Sequence, residues 1–98
     1  MVDWSPNTIV VASNDQVSSD LAGETVLLSM KTAHYYGLAD VGARIWSLVR
    51  EPTSVAAICD TIASEYDVSP ERCQADVVRF LQELAQHGLV EVGGGGDP

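Results

Sequence analysis

Few side chains in this sequence have chemistry to offer. They are Cys59 and Cys73, His34 and His87, and the adjacent pair Tyr35 and Tyr36. Zinc-type sites need two close ligand pairs, and neither histidine stands at such a spacing from either cysteine. Both cysteines fall on the apolar stripe of an expected helix, where a thiol behaves as a small core residue. A disulfide between them would be out of place in a reducing setting. His87 precedes a helix-ending glycine, where a cation suits the dipole, and His34 lies in an expected strand. No Gly-x-Ser-x-Gly turn presents a nucleophile. The glycine run at 93–96 precedes no helix and so forms no phosphate cradle. The expectation is no catalytic residue, no metal and no cofactor. The tyrosines remain: each has an apolar body with a polar tip, a type favoured where ligands are met.

The elements that must position them fit in one domain of 98 residues. Hydrophobic residues make up 46% and charged residues 19%, as in a globular chain. Fourteen acids against five bases give a net charge of -9. That opposes a nucleic-acid partner, whose phosphates need Lys and Arg, and favours a basic peptide or protein surface. The start, MVDWSPNTIVV, lacks the basic and long apolar regions of a signal peptide. No apolar run approaches membrane-spanning length, so the expected setting is soluble and cytoplasmic, with no membrane partner.

Along the chain, Thr8–Ala12 is a β-branched run that suits a strand or an extended arm. QVSSDL at 16–21, Thr25–Met30 and His34–Leu38 follow with short links, AGE at 22–24 being a tight turn. Three strands so joined imply an antiparallel meander. On the second of them Val26, Leu28 and Met30 share one face, and Leu27 and Ser29 the other. From Val41 the period becomes helical, with Asp40 expected as N-cap and a stripe of Ile45, Trp46, Leu48 and Val49. A second helix starts at a Thr53 or Ser54 cap and carries Val55, Ile58, Cys59, Ile62 and Tyr66. Ser69-Pro70-Glu71 reads as the start of a third helix, with Cys73, Val77, Phe80, Leu81 and Leu84 on one face. Gly88 and Leu89 read as its C-terminal cap, LVEV as a short extended tail, and GGGGDP as a flexible end. The fold class is α+β: a three-stranded antiparallel sheet followed by three helices, winged-helix-like.

A winged helix raises the possibility of DNA binding. The reading helix would carry Glu71, Arg72, Asp76, Arg79 and Glu83, a net negative set that opposes it. The open edge of a small sheet offers the other use: an extended peptide can add to it as a strand. Tyr35 and Tyr36 alternate in direction, so one packs inward and the other is free to meet a ligand, or both simply cover sheet faces.

The segments VLLSMKTAHYYGLADVGARIWSLV and TSVAAICDTIASEYDVSPERCQADVVRFLQELAQHGLVEV together resemble the PqqD-like family, over about Val17 to Val92. The shared features are a Leu-rich strand, an aromatic pair before Gly-Leu, a Gly-Ala-x-Ile-Trp helix, and a closing Gly-Leu. Ala39 departs from a pattern that often has Asn there. The resemblance implies a recognition element for ribosomally made, post-translationally modified peptides, most like the stand-alone leader-binding protein of lasso-peptide pathways. Such a domain binds a precursor leader as a strand beside the third strand and against the third helix, without catalysis of its own. The implied partners are that leader, a transglutaminase-like leader peptidase and, indirectly, a cyclase; the alternative is a PqqD-type chaperone for a radical enzyme. The resemblance implies a strand wall of Ala33, His34, Tyr35, Tyr36 and Leu38. It implies a helix wall from Cys73, Asp76, Val77, Phe80, Leu81 and Leu84, with Val26 or Leu28 lining a pocket. Residues 17–92 form the binding domain, 1–16 an arm or extra strand, and 93–98 a tail; a monomer or weak dimer is expected.

Overall fold

The computed structural model describes residues 4–22 and 24–93. In chain order the elements are β1 (Ile9–Ala12), β2 (Gln16–Leu21), β3 (Glu24–Ser29), β4 (Tyr35–Leu38), α1 (Asp40–Val49), β5 (Thr53–Ser54), α2 (Val55–Glu65), α3 (Pro70–Gln86) and β6 (Val90–Gly93). The expected meander is the antiparallel sheet β2-β3-β4. Gly23 of the expected tight turn and the glycine-rich end from residue 94 lie outside the described residues, as do residues 1–3.

A second sheet, β5-β1-β6, joins the two ends of the domain. The run Thr8–Ala12 is therefore a strand and not an arm: Val10 pairs with Thr53 on one side and Val92 on the other. The LVEV tail is its partner β6. Its partners lie far away in sequence, which is why a local reading left it open.

Helix termini follow local capping chemistry with one exception. Ser54 Oγ accepts from the Ala57 amide at 3.1 Å, and the Pro6 carbonyl accepts from Ala56 at 2.9 Å, so the first turn of α2 is satisfied. Ser69 Oγ accepts from the Arg72 amide, with Pro70 at the first helical position. At the other end of α3, Gly88 takes φ +72. Its amide donates to Ala85, and the Leu89 amide donates to Leu84 at 2.9 Å. That is the paired bonding of a Schellman cap, with Leu89 fully buried as its hydrophobic contact. The exception is α1. Asp40 does not cap it; Ala39 stands at the N-cap with no side-chain bond, and Asp40 sits in the left-handed region at φ +52. The sharp passage from β4 into α1 sets that conformation, which aspartate tolerates better than most residues.

The core is continuous from sheets to helices: Val10, Leu27, Trp46, Val49, Val55, Ile58, Leu81 and Leu89 are almost wholly buried. Two buried serines, Ser29 at the end of β3 and Ser13 in the link between β1 and β2, bond to the end of α3. Ser29 Oγ donates to the His87 carbonyl and Ser13 Oγ to the Gly88 carbonyl, each at 2.6 Å. These bonds satisfy helix-end acceptors that would otherwise be buried without partners.

Candidate functional site

The two sheets have four edge strands. β5 is two residues long, β6 carries Glu91 and β2 carries Asp20. β4, Tyr-Tyr-Gly-Leu, has neither charge nor proline. Short length and charge are the usual guards against pairing with another chain, and β4 lacks the charge. Its hydrogen-bonding geometry can be worked out from its ladder. The Ser29 amide donates to the His34 carbonyl at 2.9 Å. In an antiparallel pair such bonded positions alternate, so His34, Tyr36 and Leu38 bond toward β3. The N–H and C=O groups of Tyr35 and Gly37 are left facing the open edge.

The same alternation separates the tyrosines. Tyr36 turns inward, its ring 4.8 Å from that of His87 at the end of α3. Tyr35 turns outward and is 73% exposed. Leu38 is buried, and Ala33 and His34 are exposed, Ala33 at φ +59.

At the α1 end of β4 lies an apolar cavity of about 280 Å³ lined by Val41, Gly42, Ile45, Val77 and Phe80, with Asp76 at its rim. Gly42 makes the room. A Cβ there would lie 3.5 Å from the Phe80 ring and 3.8 Å from Leu38, so a larger side chain would fill the passage between strand and cavity. Asp76 is exposed and loosely paired with Arg72 at 3.7 Å, leaving most of its charge free for a ligand. Cys73 also lines the cavity. Its thiol donates to the Cys59 carbonyl at 3.7 Å. Burial, with Cys73 nearby, pushes the Cys59 thiol up to about 11. At neutral pH it stays protonated, and a protonated thiol neither attacks nor ligates. Among the described residues no group of three or more His, Cys, Asp or Glu could hold a metal ion.

Of the residues expected at the site, Cys73, Asp76, Val77 and Phe80 are brought together around the cavity. Leu81 and Leu84 are buried behind them in the core and support the wall from within. Val26 and Leu28 do not line this cavity. They pair with Gly37 and Tyr35 and so share the outer face of the sheet, away from the helices. The inner face of β3 is Thr25, Leu27 and Ser29 instead. The strand reading was ambiguous because the outer face is the more apolar one. Sequence reasoning missed Val41, Gly42, Ile45, Ile62 and Val68 as lining residues. The helical stripe had marked Val41 and Ile45 as apolar, but no local pattern shows that distant segments converge there.

Fold and geometry define a small α+β domain of two antiparallel sheets and three helices, with one unguarded sheet edge running to an apolar cavity. The chain belongs to the PqqD family: the model described as "Coenzyme PQQ synthesis protein D (PqqD)" matches residues 24–90. It is similar to the solved structure "TbiB1 in Complex with the TbiA(beta) Leader Peptide". The two are 40% identical with a TM-score of 0.77, over 83% of this chain and 94% of that one. "Lasso peptide synthetase B1 complexed with the leader peptide" has the same fold at TM-score 0.74 and 21% identity, over 84% of this chain and 96% of that one. A curated relative, the "PqqA binding protein" of Rhodopseudomonas palustris (strain HaA2), is 39% identical over 51 residues, 52% of this chain. The match spans half the length of that relative. Among the described residues no helix is long and apolar enough to cross a membrane.

Proposed function

We propose that this chain binds the leader region of a ribosomally made precursor peptide as a strand added to β4. It then presents the precursor to a leader peptidase in lasso-peptide biosynthesis. The observation that carries this reading is the β4 edge, uncharged and unpaired, leading into the cavity between α1 and α3. Backbone bonds to Tyr35 and Gly37 supply affinity for any extended segment. The cavity selects the side chains that turn inward. The acidic rim at Asp76 and the net charge of -9 draw in a segment with basic residues. The similar TbiB1 structure holds a leader peptide, and it is matched over nearly its whole length, whereas the PqqA binding protein is matched over half. That contrast favours the lasso-peptide setting over a chaperone for a radical enzyme. In this reading the chain has no catalysis of its own; a transglutaminase-like peptidase cuts the leader in the cytoplasm and a cyclase acts afterwards.

Titration of this chain with synthetic TbiA(β) leader tests the reading. Binding of one peptide per chain, at micromolar concentration or below, is expected. Phe80→Ala should weaken it about tenfold or more, because a partly exposed aromatic at a cavity wall carries much of such an interaction. A melt on the same sample separates lost groove from lost fold. Duplex DNA binding that falls steeply with salt, or no peptide binding, would contradict the reading.

A further inference from the structure

Gly37 lies in the middle of β4, where glycine weakens a strand and gives it nothing to pack. The backbone does not require it, since Gly37 is absent from the positive-φ positions of the described chain. Nor does a close neighbour require it: a Cβ at Gly37 would meet no atom within 4 Å. The position is an open notch on the outer face of the sheet. Its surroundings are apolar. Val26, its cross-strand partner, is half-buried, and Leu28 and the exposed Tyr35 form the next pair along. Of the exposed large hydrophobics Val17, Leu21, Met30, Tyr35 and Val68, all but Val68 come from this sheet or the turn that leaves it. Val17 pairs with Leu28, and so shares its outer face. An antiparallel sheet with one solvated face ordinarily turns polar residues outward. Here β3 turns Val26 and Leu28 outward beside the exposed Glu24, while Leu27 packs inward between Thr25 and Ser29.

We propose that the outer face at Gly37 is a second subsite of the groove, which takes one large apolar side chain, aromatic by preference, from the added peptide strand. The proposal rests on the strand-addition reading above. In antiparallel addition the ligand residue opposite Gly37 is a bonded partner, and its side chain emerges on the same face as the glycine. A bulky group there lies across the notch onto Val26, beside Tyr35, as aromatic side chains cover edge glycines in sheets. The ligand residues on either side of it point inward, toward Leu38 and the cavity. The recognised segment is therefore apolar at consecutive positions, as in a strand buried on both faces, and not at alternate ones.

Synthetic TbiA(β) leader serves as the probe, against wild type, Gly37→Val and Val26→Ser. Gly37→Val should weaken binding about tenfold while the melting temperature holds or rises, since a β-branched residue suits the strand and meets no neighbour. Val26→Ser should weaken binding by a smaller factor. Alanine replacement along the leader should cost affinity at three consecutive residues, the middle one opposite Gly37. Unchanged or tighter binding by Gly37→Val, or sensitivity confined to alternate leader residues, overturns the subsite and leaves strand addition standing. If the wild-type chain does not bind, or binds without amide protection at Tyr35 and Gly37, the strand-addition reading itself fails.

Discussion

The two three-stranded sheets are alike in size and opposite in use. In β5-β1-β6 the central strand β1 ties residues near the start of the domain to its end, and the Pro6 and Thr8 carbonyls just before it accept from the Ala56 and Val55 amides that begin α2. One edge strand is two residues long and the other bears a glutamate. In β2-β3-β4 the last strand is uncharged and unpaired on one side, and β3 turns Val26 and Leu28 away from the core while Leu27 packs into it. The first sheet closes the fold, whereas the second is held by the fold and, in the proposed reading, keeps its edge for another chain. Stability and recognition should therefore separate by sheet.

The largest separation is expected between Leu89→Ala and Tyr35→Ser. Leu89 is fully buried where β6 leaves α3, and its truncation should cost roughly 2–5 kcal/mol in denaturant unfolding. Tyr35 is exposed, so Tyr35→Ser should change stability by no more than about 0.5 kcal/mol while weakening leader binding. Equal effects on unfolding would break the comparison. Gly88→Ala probes the junction between α3 and the open sheet. It puts a Cβ at φ +72 and 2.9 Å from Lys31 Cδ, and should cost about 1–2 kcal/mol. Ala33→Gly acts in the other direction. Alanine at φ +59 is strained, so glycine should stabilise by up to about 1 kcal/mol, read as a rise of a few degrees in melting temperature.

The smallest effect lies away from both sheets. Arg44 Nε and Nη2 donate to the two carboxylate oxygens of Glu65 at 2.9 and 2.8 Å, joining α1 to α2. The hydrogen bond from Arg44 lowers the Glu65 carboxyl below its ordinary value of 4.5. Its contribution is therefore present above 4.5 and disappears as pH falls through the lower folded value. Glu65→Gln should remove that part of the acid dependence. The pair is exposed, so the change in melting temperature should be slight.

These contrasts also explain what could be read in advance. Ser54, Ser69-Pro70 and Gly88-Leu89 marked helix ends correctly because capping is settled within a few residues. Asp40 misled because the chain's turn out of β4 fixes its backbone before its carboxylate can reach the first-turn amides. Thr8–Ala12 stayed ambiguous because both of its strand partners come from distant segments. The faces of β3 were separable by period, but which face is inward is set by contacts with distant residues, Leu27 in the core and Ser29 with the His87 carbonyl among them. The cavity is a meeting of α1, α2, α3 and the link between α2 and α3, and Gly42 gives no local sign that it leaves space there.

The central claim is that a peptide adds to β4 through the groups facing the open edge. Amide hydrogen exchange at single-residue resolution, with and without TbiA(β) leader, tests it most directly. Tyr35 and Gly37 should gain protection on binding, while Tyr36, whose amide already faces β3, should change little. Equal protection at all three, or protection at Tyr36 alone, would contradict strand addition at this edge.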